Sequence, residues 1–222
     1  AKVAPKSNEH ILLDLNALKS LIHSFIVSVY DFFEDDENYY IILEYCQNGT
    51  LSSLIKAGQI INKDEMIFYM RKLSNAIYFC HSKGIAHRDI KPTNILLDSY
   101  GRPKLIGFEI CEMLYSKNNF LNNDENETDG YYAARKKGDV KLIRKFFGSA
   151  PYLAPEIILK TPYDPFASDV WALGITFYEI VTGSLPWNPE SGQMMNDLIC
   201  QSSLTFPKSI HSNIQQLITA MT

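Results

Sequence analysis

Between His87 and Asn94 the chain reads His-Arg-Asp-Ile-Lys-Pro-Thr-Asn, and the apolar run Ile95-Leu96-Leu97 follows. A carboxylate, an ammonium group and a carboxamide are therefore packed close together, at Asp89, Lys91 and Asn94. Groups held this near one another can accept the proton of a hydroxyl, neutralise a phosphate and hold a metal ion. Pro92 cannot sit inside a helix or a central strand, so the segment reads as a loop running into a short strand. A solvated polar turn would accommodate any three of these residues, and the flanking chain has to decide between the two.

With 46% hydrophobic and 12% aromatic residues in 222, the chain can bury a substantial core in one or two lobes. A formal charge of −4 argues against a nucleic-acid partner, because such proteins concentrate positive charge. The most apolar helical stretch, Asp169 to Thr182, contains Asp169 and Glu179 and is too short to span a bilayer. Cys46, Cys80, Cys111 and Cys200 are scattered without CxxC spacing, the pattern of reduced thiols in an intracellular, cytoplasmic protein. The start without methionine and the end inside a helical pattern are those expected of a fragment.

The elements that must position the loop follow from periodicity. Residues 1–6 are too few to classify. Apolar residues from Ile11 to Ile22 recur at helical spacing, and the runs Phe25 to Phe33 and Tyr39 to Cys46, joined by an acidic turn, predict an antiparallel hairpin. A short helix at Leu51 to Ala57 ends at Gly58. Asn62 and Glu65 have the spacing of a capping box for a long helix stopped by Gly84. The turn Ser99-Tyr100-Gly101 joins Ile95–Leu97 to Lys104–Ile106. Ser116 to Gly130 sets four acidic residues against Lys117, whereas Tyr131 to Lys145 sets six basic residues against Asp139. That reads as a mobile, solvated insertion or, more sharply, as a regulatory loop folding back on itself. Ser168 is the expected N-cap of a buried helix ending at Gly183, and two short helices follow, near Met194 to Cys200 and from Ser212.

Several motifs in order give the chain its resemblance to a eukaryotic protein kinase domain. They are Ala1-Lys2, the catalytic loop His87 to Asn94, Ala154-Pro155-Glu156, and Ser168 to Gly174. Lys91, two residues after Asp89, resembles the Ser/Thr type, and Gly148 to Tyr152 is similar to the substrate-docking turn of the calcium/calmodulin-dependent kinase-like group. The resemblance implies an α+β, bilobal fold: a small, truncated sheet lobe with one helix at 1–46, and a larger, mainly helical lobe at 47–222. The latter would hold a long activation segment at 107–156. It also implies transfer of the ATP γ-phosphate to protein Ser/Thr with Mg2+. Asp89 would accept the hydroxyl proton, Lys91 would stabilise the transferring group and Asn94 would hold the metal. Lys2 would hold the inner phosphates, anchored by Asp14, which is placed by counting back from the pattern Leu21 to Val27. Asp14 is one methylene shorter than the usual glutamate, which predicts a strained or water-bridged pair. Leu43 falls at the gatekeeper position, Glu44, Tyr45 and Cys46 along the adenine-contacting hinge, and Leu96 among the nucleotide-binding positions. Ser149, Glu156 and Asp169 carry the substrate-docking and bracing roles. His87, Phe108, Leu18 and Val29 map to the apolar stack that links the lobes.

The strongest departure is at Gly107-Phe108-Glu109, where the family carries Asp-Phe-Gly. Gly107 has no carboxylate for the magnesium ion, and Glu109 could offer one only from two residues on, with a different backbone direction. The glycine-rich loop would lie upstream of Ala1. Thr50 and Thr93 stand where basic-directed kinases place acids. No hydroxyl lies immediately before Gly148 to be phosphorylated and paired with Arg88. Two expectations follow: an impaired Ser/Thr kinase, and an inactive pseudokinase serving as scaffold or allosteric partner. The partner would be a protein substrate or a regulatory protein.

Overall fold

Asp35 organises the first hairpin: its carboxylate accepts hydrogen bonds from the Glu37 and Asn38 N–H groups and from the Tyr40 hydroxyl. The hairpin is that of β2 (Val29–Glu34) and β3 (Asn38–Leu43), with the Phe33 and Tyr40 rings stacked across it at 4.9 Å. The computed structural model describes residues 1–58, 62–114, 130–187, 192–201 and 203–222. In it, β1 (Lys2–Pro5) adds to the far side of β3, giving the antiparallel order β1-β3-β2. Four residues are too short for an alternation to show in sequence; pairing with β3 makes them a strand. Ile11 and Leu15 of α1 (His10–Ser20) pack on Ala4 and Ile41 of this sheet, while Leu18 joins the main core.

The larger lobe is mostly helical. Thr50 caps α2 (Leu51–Lys56) by accepting from the Ser53 N–H. The predicted capping box opens α3 (Lys63–Ser82): Asn62 accepts from the Glu65 N–H at 3.0 Å, and Glu65 accepts from the Asn62 N–H at 3.1 Å. Two small antiparallel pairs follow, β4 (Ile85–Ala86) with β7 (Glu112–Met113) and β5 (Ile95–Leu97) with β6 (Pro103–Leu105). The remaining helices are α4 (Gly130–Lys137), α5 (Pro155–Ile158), α6 (Pro165–Thr182), α7 (Gly192–Gln201) and α8 (Ser212–Met221). The chain thus has the bilobal α+β architecture that the sequence predicts. Among the described residues no helix is long and apolar enough to cross a membrane.

At the centre lies α6, buried on nearly every side. It starts earlier than expected. Its N-cap is Asp164, accepting from the Phe166 N–H at 2.9 Å, rather than Ser168. Pro165 occupies the first turn, where a missing N–H costs nothing. Ser168 is interior, and its hydroxyl donates to the Pro165 carbonyl. Gly183 ends the helix in the left-handed conformation, φ 78°.

The charged insertion is not a solvated loop throughout. Residues 115–129 lie outside the described residues, but α4 docks on the helical lobe. Tyr131 is 1% exposed, stacks on Phe166 at 3.9 Å and donates to the Asp164 carboxylate at 2.9 Å. Arg135 donates to the Tyr131 hydroxyl, and Tyr132 stacks on Tyr78 of α3. Basic composition predicted solvation because it averages over the two aromatic residues that anchor the segment.

Candidate active site

Asp169 holds the loop from below. Its buried carboxylate accepts hydrogen bonds from the backbone N–H groups of His87 and Arg88, both at 2.7 Å, and lies 2.9 Å from His81 Nε2. Arg88 has φ 69°, a conformation that costs a non-glycine residue about 1–2 kcal/mol. Hydrogen bonds to a charged acceptor contribute about 1.5–3 kcal/mol each. The brace therefore outweighs the strain and fixes the turn that presents Asp89.

Three predicted residues meet at Asp89. Ser149 donates to Asp89 Oδ1 at 2.8 Å, Lys91 Nζ lies 2.7 Å from Oδ2, and the Asn94 amide donates to both the backbone carbonyl and Oδ2, at 2.8 and 2.9 Å. Lys91 also donates to Ser149 at 2.5 Å. Burial would raise the Asp89 pKa, but the hydrogen bonds from Lys91 and Ser149 outweigh it and hold the carboxyl below its ordinary value. Asp89 is thus an ionised base oriented by three donors, the requirement for accepting a hydroxyl proton. His87 Nε2 donates to the Ile106 carbonyl, 2.9 Å away, and its ring lies 4.5 Å from that of Phe108. Leu18 and Phe108 share one buried cluster, with Val29 packed against it, as the predicted stack requires.

A second group forms across the cleft. Lys2 Nζ lies 2.7 Å from Asp14 Oδ2, and Asp14 Oδ1 accepts from the Phe108 N–H at 2.9 Å. The pair is direct rather than water-bridged. Lys2 also forms a short ion pair with Glu109, so the carboxylate two residues past Gly107 does enter the cleft. Burial lowers the Lys2 pKa, yet Asp14 and Glu109 together more than compensate and hold it above the ordinary lysine value. Burial, the largest single influence, raises Glu109, but the hydrogen bond from Lys2, its own backbone N–H and the charge of Lys2 together outweigh it and leave the carboxyl below its ordinary value.

A family model described as the protein kinase domain matches residues 1–222. The chain belongs to the protein kinase family. Among its relatives are the probable serine/threonine-protein kinase KCC4 of Saccharomyces cerevisiae, 34% identical over 82% of this chain and 15% of that protein. CBL-interacting protein kinase 9 of Oryza sativa is 29% identical over 96% of this chain and 42% of its own length. The S. cerevisiae serine/threonine-protein kinase GIN4 is 32% identical over 82% and 14%. The kinase domain described here spans less than half the length of these relatives.

In the kinase domain the family's magnesium does not fit the residues present. Gly107 has φ 88°, and a Cβ built on it would lie 2.8 Å from Asn94 Cγ and Nδ2, so the Asn94 carboxamide fills the place of the missing side chain. Glu109 is held by Lys2. Among the described residues no cluster of three His, Cys, Asp or Glu side chains could hold a metal ion. A hard cation binds through oxygen ligands, usually one or two carboxylates, and here Asn94 Oδ1 is the family ligand that remains.

The residues expected along the hinge lie where β3 ends. Leu43 packs against the main core, Glu44 pairs with the buried Lys104 at 2.6 Å, Cys46 is half-buried, and Tyr45 is exposed. Leu96 sits half-buried on β5. Glu156 lies in the first turn of α5 and forms no ion pair among the described residues. The Arg88 guanidinium donates to the Ile110 and Lys145 carbonyls and lies 3.4 Å from Glu112, which Lys145 Nζ pairs at 3.0 Å, while its buried Nε has no partner among the described residues. Glu112 and His81 were not recognised as site residues, because neither belongs to a motif near the loop; only the fold brings them there.

Proposed function

We propose that this chain is the domain of a Ser/Thr protein kinase whose transfer of the ATP γ-phosphate to protein hydroxyls is impaired on the nucleotide side. The observation that carries this reading is Gly107, without a carboxylate and with Asn94 packed into the space one would fill. Asp89 would accept the hydroxyl proton, Lys91 would steady the transferring group, Ser149 would orient both, and Lys2 would meet the inner phosphates. Leu43, Glu44, Tyr45, Cys46 and Leu96 would line the base. Its metal would have supplied charge neutralisation between the outer phosphates. Loss of that stabilisation is of order 4 kcal/mol, or about a thousandfold in rate.

A second reading, a pseudokinase that binds a regulatory protein, is favoured by Glu109 occupying the ammonium group of Lys2. The relatives named CBL-interacting kinases have a protein partner in their name; a protein partner or substrate inside the cell is proposed for this chain too. The test is radiolabelled transfer from ATP to protein by the full-length protein beside Asp89→Asn. Slow transfer abolished by Asp89→Asn supports the impaired kinase. Transfer indistinguishable from that of Asp89→Asn supports the pseudokinase, and rapid Asp89-dependent transfer overturns both.

A further inference from the structure

Both ammonium groups that face the phosphate region are already neutralised from within the chain. Lys91 lies 2.7 Å from Asp89, and Lys2 is shared between Asp14, at 2.7 Å, and Glu109. Counted together, these five groups carry three negative charges against two positive ones. Asp14 is 1% exposed, and its second oxygen is committed to the Phe108 N–H, so it cannot swing away. Glu109 differs: its side chain is 38% exposed, and it is held through Lys2 alone among the described ion pairs. Its backbone is tied in place, since the Glu109 carbonyl lies 3.1 Å from His10 Nδ1 of α1. The carboxylate of Glu109 is therefore tethered at the position from which Lys2 would otherwise reach an anion.

We infer that Glu109 is a built-in competitor for the phosphates, so that the cleft takes an uncharged purine nucleoside in preference to a nucleoside triphosphate. This rests on reading the cleft as a nucleotide site and names which part of a nucleotide it accepts. A triphosphate has to displace Glu109 from Lys2 and then lie beside Asp14, Asp89 and the displaced carboxylate, with no protein carboxylate at Gly107 to hold a neutralising cation. Like charges in a partly desolvated cleft repel strongly. An uncharged nucleoside incurs neither cost, because it brings no negative charge beside Asp14, Asp89 and Glu109.

Calorimetric titration of the full-length protein and of Glu109→Gln, with adenosine and with ATP in EDTA, tests this directly. In the wild type adenosine should bind at least as tightly as ATP. In Glu109→Gln the ATP affinity should rise about tenfold or more, while adenosine changes by less than about twofold. The adenosine arm reports that the variant cleft is folded. Wild-type ATP binding clearly tighter than adenosine, an ATP affinity unmoved by Glu109→Gln, or a variant that binds neither ligand would each overturn the inference. Failure here leaves the transfer assay untouched, and rapid Asp89-dependent transfer would overturn the impaired-kinase reading whatever the affinity ratio.

Discussion

The two sides of the proposed site differ in how their charges are held. On the wall built by the loop and α6, Asp89 is oriented by Ser149, Lys91 and Asn94, and the loop is braced by Asp169. On the opposite wall Gly107 carries no carboxylate and Glu109 pairs with Lys2. The difference teaches that Asp89 and Lys2 are held by different partners: Asp89 by donors from its own loop and Ser149, Lys2 by the carboxylates of Asp14 and Glu109. The first depends on a buried carboxylate under the loop, and the second on a short stretch after β6.

The comparison can be broken most forcefully through Asp169. Asp169→Ala leaves the His87 and Arg88 N–H groups without their charged acceptor, and should cost about 3–5 kcal/mol in urea unfolding. A loss below about 1 kcal/mol would mean that the loop holds itself. Gly107→Asp alone places a side chain at φ 88° against the Asn94 carboxamide, and should lower stability by about 1–3 kcal/mol by the same measurement. A neutral result would show that the wall is still shaped for its lost residue. Tyr131→Phe removes the hydrogen bond to Asp164 and should cost about 1 kcal/mol. It should also speed limited proteolysis within 130–137, which would separate the docked insertion from both walls.

The smallest effect is in pH. The Glu109 carboxyl is held below its ordinary value of 4.5, so its contribution is complete above that pH and is lost as pH falls through the depressed folded value. Asp89 acts with the same sign. The difference between thermal unfolding of the wild type and of Glu109→Gln isolates Glu109: the gap should close on acidification. A gap constant down to acid pH would place the Lys2 pair outside the energetics of this wall.

The loop wall was legible in the sequence because its residues are adjacent: Asp89, Lys91 and Asn94 share one loop, and periodicity and capping located α3 and α6 around it. The N-cap of α6 was missed because Ser168 and Asp164 both have capping side chains, and only Pro165 in the first turn decides between them. The nucleotide wall was legible in what it lacks, Gly107, but not in what it gained. Whether Glu109 reaches Lys2 depends on the backbone direction after Gly107, which no local pattern encodes. The same holds for Glu112 beside Arg88 and for Tyr131 on Phe166: each contact joins segments distant in sequence, and composition pointed the other way for the basic half of the insertion.

The most direct measurement is the rate of phosphate transfer to protein by the full-length chain carrying Gly107→Asp with Glu109→Gly, against the wild type, each with and without Asp89→Asn. If the loop wall is intact and the nucleotide wall limits the rate, the double variant should gain about a thousandfold, equivalent to ~4 kcal/mol, and Asp89→Asn should abolish the gain. A restored variant that binds ATP and transfers no faster than the wild type would contradict the account and move the defect to the loop wall.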